Sequence, residues 1–209
     1  MENGFNPKLF QKACLLAAYW WVDCEDEYHR QFRSIDIKRL PYDAFYAFTI
    51  KYSVRRTFSV KDAPGQQASN SLLKDLSREF ISSCVAGNKD AVDSYGEFHG
   101  HNIRSLLSKF ATLINPNVFT MYDGNSRVGL NRENSRGDHA VPARYSSFLK
   151  EFFVFKKKMN NSIKENDIKY YLSLLYDKQS VDPGSLTYDI FINRVADKYL
   201  WYLGSSENV

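Results

Sequence analysis

Ser105–Leu130, SLLSKFATLINPNVFTMYDGNSRVGL, is the stretch on which the reading of this chain turns. Ile103, Leu106, Leu107, Phe110 and Leu113 recur at helical spacing around Lys109. Asn115-Pro116 ends that helix, because proline brings no N–H and pushes its predecessor out of the helical region. An apolar, strand-like piece follows as far as Tyr122, and Asp123 then stands where a new helix starts. A carboxylate there accepts from N–H groups that have no partner within the helix. Lys109 and Asp123 are thus expected at the two rims of one turn.

Outward from this stretch the pattern is helical almost throughout, and the expected fold class is mostly α. Asn6-Pro7 is a helix start, with Phe10, Ala13, Cys14, Ala17 and Trp20 or Trp21 on its buried face. A second helix opens at Pro41, carries Phe45, Phe48 and Tyr52, and runs into Arg55-Arg56. The polar segment near 61–70 reads as a loop. Leu72 to Cys84 is helical and stops at Gly87-Asn88, and a short helix follows around 90–98. Gly96 and Gly100 bracket a tight connection carrying His99 and His101, whose spacing without a third ligand favours turn histidines over metal. Beyond Leu130, residues 131–144 read as an exposed loop. Phe148 to Phe155 form an aromatic helix ended by Lys156–Lys158, Ile168 to Leu175 another, and Asp182-Pro183-Gly184 a turn. Tyr188 to Leu203 form a last amphipathic helix closed by Gly204.

The chain has 209 residues, 44% of them hydrophobic, enough for one compact helical unit over 1–209 that the 61–70 loop parts into two lobes. No apolar run approaches the roughly 18 to 20 residues of a membrane span, and the N-terminus lacks the basic start and cleavage site of a signal peptide. A soluble, cytoplasmic, monomeric protein without a membrane partner is expected. Cys14, Cys24 and Cys84 are odd in number and widely separated, so free thiols are expected rather than disulfides or zinc. The net charge of +4 is mild; its distribution says more. Acidic residues gather at Asp23–Glu27, and Arg127, Arg132, Arg136, Arg144, Lys150 and Lys156–Lys158 gather from the end of the central stretch onward, where a phosphate backbone would prefer to lie.

Two readings of the central residues stand side by side. Asp123 is a helix cap and Lys109 a lysine whose stem lies along apolar surface; or Asp123 is a fixed catalytic carboxylate and Lys109 an amine nucleophile with a burial-lowered pKa.

Ser108-Lys109, Pro116, Phe119 and Tyr122-Asp123, followed by Arg127-Val128, form a pattern that resembles bacterial proteins with an 8-oxoguanine DNA glycosylase-like fold, within the helix-hairpin-helix DNA glycosylase superfamily. Arg194 to Gly204, with its R-x-x-D-x-x-L-W pattern, is similar to the closing helix of that group. The resemblance covers 98–130 and the last helix, and places the catalytic segment at about 96–130. It implies a two-lobed helical fold and excision of a damaged or modified base from double-stranded DNA by base flipping, without a cofactor or metal. DNA repair and defence against phage carrying modified bases both fit. The family's catalytic aspartate maps onto Asp123 and its lysine onto Lys109. Residues 96–102 lack the family's L-P-G-x-G hairpin, so a monofunctional enzyme using Asp123 alone is expected, and a catalytically inactive DNA- or partner-binding module on the same fold is the alternative. Trp20, Trp21, Tyr122 and Tyr145 are the candidate liners of the base pocket, although core burial is the commoner fate of paired tryptophans. Arg127, Arg132, Arg136 and Arg144 are the candidate phosphate contacts.

Overall fold

The structure is a computed structural model that describes residues 5–33, 42–52, 78–98, 100–138, 140, 144–177 and 181–205. Pro41, the side chain of Phe45, Arg55-Arg56, the segment 61–70, Leu72 to Leu76 and His99 lie outside the described residues. The chain is mostly helical and divides into two compact units, Met1–Asp26 with Thr120–Val209, and Glu27–Phe119. The boundaries fall at 26/27 and 119/120, so Lys109 and Asp123 belong to different units.

In the unit Glu27–Phe119, α2 (Asp26–Arg33), α3 (Tyr42–Lys51) and α4 (Arg78–Val85) are followed by the four-residue α5 (Ala91–Ser94). Phe32, Phe48 and Phe80 meet Phe110 as an aromatic cluster, with ring centroids 4.5 to 6.4 Å from it. The expected stop of α4 is present in full: Gly87 has φ +74°, its N–H reaches the Cys84 carbonyl, and the Asn88 N–H reaches that of Ser83. The tight connection at 96–102 is an antiparallel β-hairpin, β1 (Glu97–Phe98) with β2 (His101–Asn102), turning through Gly100 at φ +76°. It leads into α6 (Arg104–Ile114), where every residue from Leu106 to Ile114 is buried. His29, itself buried, donates its Nδ1 proton to the Leu113 carbonyl at the end of α6, which fixes that ring's tautomer.

The unit Met1–Asp26 with Thr120–Val209 begins with α1 (Pro7–Trp20), capped by Asn6, whose side chain accepts from the Lys8 and Leu9 N–H groups. A π-helical turn, Trp21–Glu25, continues it and buries Trp21, Cys24 and Glu25. After Thr120 come α7 (Gly124–Glu133), α8 (Tyr145–Ser162), α9 (Glu165–Asp177) and α10 (Tyr188–Gly204). Burial pushes the Cys14 thiol up to about 12, with Asp167 adding to the effect, and pushes the Cys84 thiol up as well. All three cysteines are free and buried.

Three expectations are corrected. Residues 131–133 are not loop but the last turn of α7, and Asn131 is fully buried there. Lys156–Lys158 do not end α8, which runs on through the buried Met159 to Ser162; Lys158 instead pairs with Glu133. The last helix is not amphipathic: Ile190 to Leu200 are buried on every side, charged residues included. Gly204 closes the last helix as expected, as the final residue of α10, and a Cβ there would run into the Asn125 carbonyl oxygen of α7. A Cβ on Gly129 would likewise run into the Leu200 carbonyl oxygen, so α7 and α10 touch backbone to backbone at two glycines.

Gly129→Ala would help an isolated helix by about 1 kcal/mol. Here it should destabilise the protein by roughly 3 kcal/mol or more, the upper end of overpacking costs, as read by the urea unfolding midpoint.

Candidate functional site

Asp123 sits where an extended segment becomes α7, with φ −123° and ψ 176°. Phe119, Thr120, Met121 and Tyr122 are all buried, and among the described residues no strand pairs with them. Tyr145, the first residue of α8, satisfies the backbone of Thr120: the hydroxyl donates to the Thr120 carbonyl at 2.9 Å and accepts from the Thr120 N–H at 3.1 Å. Asp123 Oδ1 accepts from the Ser126 N–H at 2.8 Å, the N-cap bond expected of it. Asp123 is partly buried, and among the described residues its other oxygen takes no hydrogen bond and the carboxylate forms no ion pair.

Behind this cap lies a buried ionic chain that sequence reasoning missed. Arg194 on α10 is 1% exposed and binds Glu25 of the π-helical turn with two bonds, Nε to Oε2 at 2.8 Å and Nη2 to Oε1 at 2.6 Å. Its Nη1 donates to Asp197 Oδ2 at 3.2 Å. Asp197 Oδ1 accepts from the Ser126 hydroxyl at 3.3 Å, and Lys198 Nζ lies 3.8 Å from Asp197 Oδ2. Lys198 rests on the Trp20 ring, 5.1 Å from its centroid. Burial pushes the Asp197 carboxyl above the usual carboxylate range; Arg194 and Lys198 oppose this, and the charges of Asp123 and Glu25 reinforce it. Of the five charged groups joined in this way, three are acidic and two basic, and Asp123 is the acid that borders solvent.

The other candidate residues are placed as follows. Lys109 is buried in the unit 27–119 at 7% exposure, and its ammonium donates to Ser105 Oγ at 3.0 Å. Trp21 and Tyr145 are core residues at 1% and 0% exposure, with no surface open to a base. Tyr122 is buried too, edge-on to Tyr145 and Phe148 and covered by the Arg127 guanidinium 4.8 Å from its ring centroid. Trp20 keeps a partly exposed indole. Arg132 grips Asp138 with two bonds, at 2.9 and 2.8 Å, and donates to the Leu203 carbonyl; Arg136 pairs with Glu151. Three of the four arginines are therefore engaged within the chain, and Arg144 stays exposed at the start of α8. Exposed positive charge continues along α8 at Lys150 and Lys157.

Among the described residues no group of three His, Cys, Asp or Glu side chains could hold a metal ion, and no helix is long and apolar enough to cross a membrane. No family model, no curated protein and no solved structure matches the chain.

A raised folded-state pKa means that the native protein holds the Asp197 proton more tightly than the unfolded chain does. That contribution to stability is full below the ordinary carboxyl pKa and is lost as pH rises through the raised value. Wild type should therefore gain stability relative to Asp197→Asn as pH falls from 7 to 4 in paired urea titrations. Parallel curves would show that Asp197 does not titrate abnormally.

Proposed function

We propose that this protein is a DNA glycosylase of the helix-hairpin-helix type, releasing a damaged or modified base by base flipping with Asp123 as the catalytic carboxylate. The observation that carries the proposal is Asp123 itself: an acid fixed at a helix start, with one oxygen unengaged among the described residues, bordering solvent in a cluster that holds more acids than bases. Cleavage of an N-glycosidic bond builds positive charge on the sugar, and a preorganised carboxylate without a cation of its own stabilises that charge. The same carboxylate orients the attacking water. The resemblance of Ser108-Lys109 through Tyr122-Asp123 to the glycosylase pattern supplies the reaction class.

Among the aromatic candidates we assign the flipped base to Trp20, a reading supported by its partial exposure and its position beside the ionic chain. The exposed Arg144, just before α8, and Lys150 and Lys157 on α8 are candidate contacts to duplex phosphates. Lys109 has a hydroxyl partner on its own helix, which supports reading it as a structural lysine and the enzyme as monofunctional. The setting is repair of the cell's own DNA or defence against phage DNA with modified bases. A second reading, a binding module without chemistry on the same fold, draws on the sufficiency of the N-cap bond as an explanation of Asp123.

Mass spectrometry of bases released from genomic and phage DNAs separates the two. The glycosylase releases a base; Asp123→Asn loses roughly 10²- to 10³-fold in rate, the scale of one electrostatic contact to the transition state, while Lys109→Gln retains base release. Salt-dependent DNA binding with no base released from any of these DNAs would establish the binding module instead.

A further inference from the structure

The N-cap bond alone needs an N–H at position 126, and any residue there provides one. The structure adds a second connection that capping does not require. Ser126 is fully buried, and while its N–H holds Asp123 Oδ1 at 2.8 Å, its hydroxyl holds Asp197 Oδ1 at 3.3 Å. Asp197 in turn is held by Arg194, and Arg194 by both oxygens of Glu25. Every member behind Asp123 is buried, so water cannot substitute for a lost bond as it does at the surface. The two glycine contacts between α7 and α10 keep Ser126 and Asp197 on backbones that cannot slide apart.

We infer that Ser126 and Asp197 are positioning residues for Asp123: Asp197, clamped by Arg194, fixes the Ser126 hydroxyl and thereby the N–H that sets the orientation of the Asp123 carboxylate. This inference rests on the glycosylase reading for its catalytic meaning, but the coupling itself is a property of the folded chain and is measurable without any substrate.

The test has two readouts. The first is hydrogen exchange of the amide at position 126 by NMR, with Asp123→Ala setting the rate for an amide without its acceptor. In Ser126→Ala and in Asp197→Asn that amide should exchange at least about 10-fold faster than in wild type, while the Leu130 amide in the middle of α7 keeps its protection. The second is single-turnover base release, which should fall about 10- to 100-fold in each variant, the range seen when partners behind a functional ligand are removed, with DNA affinity unchanged. The double variant should be no slower than the worse single one, because both changes cut one connection. An amide 126 as protected in Ser126→Ala as in wild type overturns the inference. So does faster exchange spread evenly over α7, which marks general loosening, and so does additive loss in the double variant. If wild type releases no base from any DNA and amide 126 still responds as described, the glycosylase reading falls and the positioning chain stands. If Asp197→Asn fails to fold, Ser126→Ala, which removes a single oxygen atom, decides alone.

Discussion

Arg194 is a permanent cation with almost no access to water, and the unit Met1–Asp26 with Thr120–Val209 is arranged around neutralising it. An isolated charge in such a position costs several kcal/mol even after relaxation, so its partners are obligatory. Glu25 comes from the π-helical turn and Asp197 from the next turn of α10 itself. The first of these pairs joins residues 169 positions apart and ties the beginning of the chain to its last helix. The π-helical turn places that carboxylate among Trp21 and Cys24, where a surface helix would carry an apolar residue.

The same demand shapes the surface at the start of α7. Glu25 and Asp197 spend their charge on Arg194 and Lys198, and Asp123 is left as the acid that still faces outward. The arginines after the central stretch are used in another way. Arg132, in the last turn of α7, holds Asp138 and the Leu203 carbonyl, and Arg136, in the segment after α7, pairs with Glu151. These pairs cancel much of the positive charge that residue counting assigns to this region. Of the cations gathered there, Arg144, Lys150 and Lys157 stay exposed, at the start of α8 and along it.

Local chemistry was legible in the sequence wherever one residue type decides the backbone. Asn6-Pro7 starts α1, Gly87 stops α4 in the left-handed region, and Asp123 caps α7, all at the positions expected. Legibility fails where a polar residue is buried by partners distant in sequence. Arg194, Asp197 and Lys198 break the apolar stripe of α10 and look like its wet face; Glu25, which turns that face inward, lies far away in the chain and looks like one more member of an acidic run. Trp20 and Trp21 could not be separated by spacing, because the π-helical turn begins between them. Tyr145 reads as an available aromatic, but its hydroxyl is committed to a strand-like segment that pairs with no strand among the described residues.

The paired glycines of α7 and α10 also bear on motion. Helices that meet through side chains can roll over one another by changing rotamers, at small cost and on fast timescales. Helices in backbone contact at Gly129 and Gly204 have no such freedom, because there is no side chain between them to rearrange. Whatever opens or closes near Asp123 must therefore carry α7 and α10 together as one rigid body, with the hinge elsewhere in the chain.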